Sequence, residues 1–151
     1  MKKILKKSVL LLLMLSMIVC FAACNDDNDK PDGETGIKSS QSSKNKKAEK
    51  QIEAYIALQQ DDLDEVIDEL KEQGVDAKFY AEGSSLVYEY TLGFDVPAEG
   101  IAQFEENIKS SEADLKAANE IVFSECSAVE EVVYIYYDID GTKLCELSFS
   151  R

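Results

Sequence analysis

The chain contains no histidine and no tryptophan, and only two prolines in 151 residues. Without histidine there is no Ser–His or Cys–His nucleophile pair, and the commonest transition-metal ligand is missing. Cysteine is sparse as well. Cys20 and Cys24 fall near the start, which leaves Cys126 and Cys145 for the rest of the chain, too few for a zinc site. Positive charge is scarce beyond residue 47: Ala48 to Arg151 holds 25 Asp and Glu against 7 Lys and Arg, a net charge of −18. That balance argues against nucleic-acid binding and against lying flat on an anionic membrane. Acid pairs such as Glu105-Glu106 and Glu130-Glu131 arise by chance at this density, so they do not by themselves mark general acid/base chemistry.

What is present begins with Met1 to Cys24. Lys2, Lys3, Lys6 and Lys7 lead into Ser8–Ala23, an uncharged run that closes on Phe21-Ala22-Ala23-Cys24. A basic start, an apolar middle and small residues at the end are the parts of a secretory signal. The apolar run falls short of the roughly 20 residues of a membrane-spanning helix. Cysteine directly after two alanines resembles a bacterial lipobox, which implies that residues 1–23 are removed and that Cys24 is lipidated on its sulfur. Cys20 is the poorer candidate, because bulky Val19 precedes it. The expected location is the extracytoplasmic face of the cell membrane, held by lipid.

Residues 24–47 then read as a tether. Between Asn25 and Lys47 five acids balance five lysines, and Ile37 is the one aliphatic residue. Such a segment buries too little apolar surface to offset its ordering entropy. Its flexible reach is about 26 Å, beyond the roughly 8–10 Å over which salt leaves charge repulsion unscreened.

Residues 48–151 suit one domain. Ile52, Tyr55, Ile56, Leu63, Val66, Ile67 and Leu70 recur at helical spacing and predict a helix from about Lys47 to Gln73, with Asp61-Asp62 as an internal break and Gly74 as its stop. Val75–Ala81 and Leu86–Phe94 alternate as strands around Glu82-Gly83-Ser84-Ser85, a register that pairs Ala81 with Leu86 and Phe79 with Tyr88. Pro97 opens a second helical stretch to about Ser124, breaking at Ser110-Ser111. Val132–Tyr137 and Thr142–Phe149 form a second hairpin around Ile139–Gly141, pairing Ile135 with Cys145 and Val133 with Leu147. The expected fold is α+β: two layers, a four-stranded antiparallel sheet with two helices on one face, in the order α-β-β-α-β-β. The repeated helix-then-hairpin order hints at duplication.

The lipobox at Cys24, the helix end Leu70-Lys71-Glu72-Gln73-Gly74-Val75-Asp76, the strand Leu86-Val87-Tyr88-Glu89-Tyr90 and the closing Asp140-Gly141-Thr142 turn resemble a family of small lipoproteins from low-GC Gram-positive bacteria, defined by a domain of unknown function. The resemblance spans nearly all of residues 48–151. It implies fold and location and carries no catalytic motif.

Asp138-Ile139-Asp140-Gly141 invites a calcium reading. With Gly141 at position six of an EF-hand loop, positions one and twelve would be Tyr136 and Leu147, which supply no such ligand, so a hairpin turn is expected instead. No metal and no cofactor is expected. Cys126 and Cys145 are left open between a disulfide, which export would permit, and two buried thiols, the simpler reading. The candidate binding surface is the sheet face away from the helices. On the expected register it carries Tyr80, Tyr134 and Tyr136 with Val87, Val132 and Leu144, beside Lys78, Glu89 and Glu146. Tyrosine offers rigid contact area with a polar tip. The functional expectation is a lipid-anchored binding or interaction module without catalysis, its partner a protein, a peptide, wall glycan or a second copy. The alternatives are a carboxylate-based hydrolase or wall-modifying enzyme, and a purely structural surface protein.

Overall fold

The computed structural model describes residues 44–151. The signal segment, Cys24 and most of the tether lie outside the described residues. Four helices and four strands follow in order: α1 (Lys44–Ala57), α2 (Gln60–Glu72), β1 (Val75–Glu82), β2 (Ser85–Leu92), α3 (Ala98–Ser110), α4 (Glu112–Glu125), β3 (Glu131–Tyr137) and β4 (Lys143–Ser150). Each expected helix is thus a pair. The first breaks at Leu58-Gln59, slightly before the acidic doublet, and the second breaks at Ser111 as the two serines imply. Asp61 and Asp62 sit in the first turn of α2 and Lys71 in its last, each placed to oppose the helix dipole. Gly74 then ends the helix with φ +76°, a backbone setting that glycine takes without the Cβ penalty.

The four strands form one sheet in the order β1-β2-β3-β4. The first hairpin has the expected register, with Phe79 opposite Tyr88 and Ala81 opposite Leu86. The sheet, however, is mixed. β2 and β3 run parallel, whereas the two hairpins are antiparallel. The reason lies in α3 and α4. They break at Ser111 without folding back, so they carry the chain from the Leu92 end of the sheet to the opposite end. There the Glu130 N–H donates to the Ser84 carbonyl at 2.9 Å. A helical hairpin would have returned β3 to the Leu92 end and made it antiparallel; a parallel pair needs a long crossover of this kind.

The second hairpin corrects the expected register of β3. Beside the turn, Tyr137 pairs with Lys143, as a three-residue loop requires. One step later Tyr136 pairs with Cys145, so Leu144 is an extra residue in β4, and from there Tyr134 faces Leu147 and Val132 faces Phe149. A bulge adds one unpaired residue, and one residue is enough to turn a strand over. Leu144 and Cys145 are consequently both buried, although they are adjacent in β4. The turn itself is held by Asp138, whose carboxylate Oδ1 accepts the N–H groups of Asp140 at 3.0 Å and Thr142 at 2.8 Å. Gly141 sits in it at φ +80°.

One buried cluster joins Ile52, Val66 and Leu70 of α1 and α2, Phe104, Ile108, Leu115 and Val122 of α3 and α4, and one alternate set of strand residues that includes Val75, Leu86, Tyr90, Val132, Tyr134 and Tyr136. The parallel register stacks Tyr88 on Tyr134 at 5.0 Å between centroids and Tyr90 on Tyr136 at 5.2 Å. Edge contacts from Phe79 to Tyr88 and from Phe149 to Tyr134 extend the first stack over all four strands. Each such pair adds about 0.5–1.5 kcal/mol beyond its buried area.

Candidate interaction face

Strand alternation assigns the residues outside that cluster to the opposite side of the sheet. The registers align them in cross-strand rows: Tyr80, Val87, Val133 and Ser148 in one, Lys78, Glu89, Ile135 and Glu146 in the next, and Asp76, Thr91, Tyr137 and Lys143 beyond. An apolar band therefore crosses the two central strands from Tyr80 through Val87, Val133 and Ile135 to Tyr137. Val87 is buried, while Tyr80, Val133, Ile135 and Tyr137 are half-buried.

Charge brackets the band. Glu89 accepts from the Lys78 ammonium at 2.9 Å with one carboxylate oxygen and from the Tyr80 hydroxyl at 3.2 Å with the other. Across the sheet Lys143 pairs with Glu146 at 2.9 Å. The Tyr80 hydroxyl is pushed up to about 12, first by lost hydration and then by its bond to Glu89. Both lysines are raised by the hydrogen bonds they make to their carboxylate partners. Their charges are thus kept and paired. Exposed pairs of this kind contribute little stability.

Of the five residues expected to form a binding face, Tyr80 and Val87 stand outside the core cluster. Tyr134, Tyr136 and Leu144 do not. The two tyrosines are 2 % exposed and Leu144 is 3 % exposed, all within the core cluster. Tyr134 donates its hydroxyl to Asn119 Oδ1 of α4 at 2.7 Å, and the Tyr136 ring meets Phe104 of α3 edge-on. Val132, expected on the same face, is also in the core. Val133, Ile135 and Tyr137 take their places. One signal in the sequence pointed to them: Tyr88-Glu89-Tyr90 and Tyr134-Ile135-Tyr136 have matching spacing, and side-by-side strands stack both pairs only if all four tyrosines share a face.

Cys126 and Cys145 are buried free thiols. Cys126 ends α4 near Tyr55, whereas Cys145 lies near Glu105 and Lys109 of α3. Burial pushes the Cys145 thiol up. Among the described residues, no three His, Cys, Asp or Glu side chains are grouped to hold a metal ion, and no helix is long and apolar enough to cross a membrane.

The profile of a family described as "Domain of unknown function (DUF4854)" matches residues 44–149. The chain belongs to that family. The match opens at the first residue of α1 and closes inside β4, so the DUF4854 domain is the whole helix-and-sheet unit, with both helix pairs and both hairpins. No curated protein and no solved structure matches the chain.

Proposed function

We propose that this DUF4854 domain is a lipid-anchored, extracytoplasmic interaction module that presents its helix-free sheet face to a partner and performs no catalysis. All four helices lie over one face of the sheet in this reading. Two features support that layering. The core cluster draws on every helix and, apart from the bulge residue Leu144, on one alternate set of strand residues, and the Tyr55 hydroxyl of α1 donates to Glu125 of α4 at 3.1 Å, joining the two helix pairs. The other face is then open, and it carries the band from Tyr80 to Tyr137. Apolar surface gathered on one side of a soluble domain and rimmed by charge marks interaction sites; this band is the observation that carries the proposal.

Anchoring rests on the lipobox at Cys24, in a lipoprotein family of the Gram-positive type. Two acyl chains hold a protein stably in a bilayer, at about 0.8 kcal/mol per buried methylene, where one chain is marginal. The tether that precedes α1 lifts the acidic domain clear of the membrane and concentrates it there, which strengthens weak contacts without new chemistry.

The test uses the full chain on cells. Cys24→Ser abolishes lipid labelling and frees the protein from membranes; unchanged labelling contradicts the assignment. A photo-crosslinking residue at Ile135 yields a discrete adduct, and the same probe at exposed Glu53 of α1 does not. Val133→Asp removes the Ile135 adduct and leaves the fold intact. Equal crosslinking from both positions contradicts use of the sheet face.

A further inference from the structure

We infer that the outer edge of β4, beside α4, is a second site, where an extended basic segment of a partner protein adds to the sheet as a fifth strand. Among the described residues β4 pairs with β3 on one side and with no strand on the other, which leaves its outer backbone groups without a ladder partner there. α1 and α2 both pack closely on β1, and α3 packs on β4, but α4 stands further off. Between α4 and the end of β4 this leaves a groove of about 560 Å³, with Lys116, Asn119, Glu120, Phe123, Phe149 and Arg151 among its walls.

Asn119 distinguishes this groove from an ordinary crease. It is 1 % exposed, its Oδ1 is taken by Tyr134, and its Nδ2 has no acceptor among the described residues. A buried donor left in this state is costly. A carbonyl brought into the groove by a bound segment is the acceptor that suits it. The groove beside α2 and β1 is of similar size, about 600 Å³, and is lined by Asp64, Asp68 and Asp76, but no buried unpaired donor is among its lining residues.

The chemistry of the occupant follows from the walls. Arg151 is already engaged: its guanidinium donates to the carbonyls of Phe123 and Ser127 and lies over the Phe123 ring. Exposed Glu112 and Glu120 stand at the rim around Lys116, within a domain of net charge −18 over Ala48–Arg151. Along β4, Cys145, Leu147 and Phe149 turn to the core side and Glu146, Ser148 and Ser150 to the other. An added strand alternates in the same way. Its apolar side chains lie beside Leu147, Phe149 and Phe123, and its basic ones lie toward Glu146 in the field of the acidic domain.

The probe is a capped peptide of about six alternating valine and lysine residues, the length of an ordinary strand, with a valine–glutamate peptide as control. It is added to the isotopically labelled full chain. The lysine peptide shifts the Asn119 side-chain amide resonance and slows hydrogen exchange in β4, and the glutamate peptide does neither. Glu146→Lys, on an exposed position, weakens binding about tenfold without altering the free spectrum elsewhere. An unmoved Asn119 resonance, equal binding of the acidic peptide, protection of β1 instead of β4, or self-pairing of β4 without peptide overturns the inference. A failure here leaves the open sheet face untouched, because the crosslinking from Ile135 does not involve β4's outer edge.

Discussion

Gly93 donates its backbone N–H to the Gly74 carbonyl at 2.6 Å, and a Cβ built on Gly93 would lie 2.5 Å from that same oxygen. The bond ties the residue after β2 to the turn between α2 and β1, closing the end of the sheet where the first helix pair hands the chain over. No flexible side chain stands in the way of the added atom; the obstacle is backbone. Gly93→Ala is therefore expected to cost about 2–4 kcal/mol, read as a lower urea midpoint with an unchanged slope. A loss below about 0.5 kcal/mol, the range of an ordinary surface substitution, would contradict the close approach.

The tyrosines of β3 are core residues, which fixes what their removal does. Tyr136→Ala deletes a ring packed between Tyr90 and Phe104 and should cost about 3–5 kcal/mol. Tyr134→Phe removes the donor to Asn119 Oδ1 and should cost about 1–2 kcal/mol, because the amide oxygen stays buried without its partner. Ile135→Ser, on the other face of the same strand, should cost clearly less than Tyr136→Ala. Chemical denaturation of the three variants checks the order, and a reversed order would restore the register expected from sequence.

The difference between the expected register and the one found is a single residue. The turn was legible: Asp138 and Gly141 are turn residues, and Tyr137 does pair with Lys143. The bulge at Leu144 was not, since no proline or glycine marks it and Leu144 alternates as well as any strand residue would. The first hairpin had no bulge, so its register and its core face were readable throughout. The direction of β3 was hidden for another reason. Helical periodicity reports where Ser110-Ser111 breaks the stretch, but whether the chain turns back there depends on packing against the sheet. The candidate face suffered in proportion: the residues of the first hairpin, Tyr80 and Val87, stay outside the core cluster, and those of the second hairpin were exchanged for their neighbours.

Alkaline titration reads the same core. The hydroxyl of Tyr55 is pushed up to about 12, first by burial, and burial drives Tyr88, Tyr90, Tyr134 and Tyr136 upward as well. The unfolded chain releases these protons near pH 10, whereas the folded chain holds them to higher pH, Tyr55 to about 12, so above pH about 10 the unfolded state binds fewer protons. Stability is thus intact below pH about 10 and falls as pH rises above it. Phenolate absorbance and circular dichroism should change together in one steep step. Smooth ionisation of these tyrosines with the fold retained would contradict their burial.

Cys126 and Cys145 are separate thiols. Alkylation of unfolded, unreduced chain should place a label on each. In the folded protein Cys145 should react slowly, since it is 7 % exposed and its thiol is raised by burial. Absence of label on both in the unfolded, unreduced chain would reveal a bridge.

The central claim is that the sheet face bearing Tyr80, Ile135 and Tyr137 is covered by a partner when the protein sits on its membrane. Hydroxyl-radical footprinting measures this side chain by side chain. Oxidation of those three residues in the full chain on intact cells is compared with oxidation of the same chain purified, with Leu58, 85 % exposed in the break between α1 and α2, as an internal reference. The account predicts that oxidation of Tyr80, Ile135 and Tyr137 falls severalfold on cells while that of Leu58 is unchanged. Equal oxidation of all four residues in both settings would contradict it.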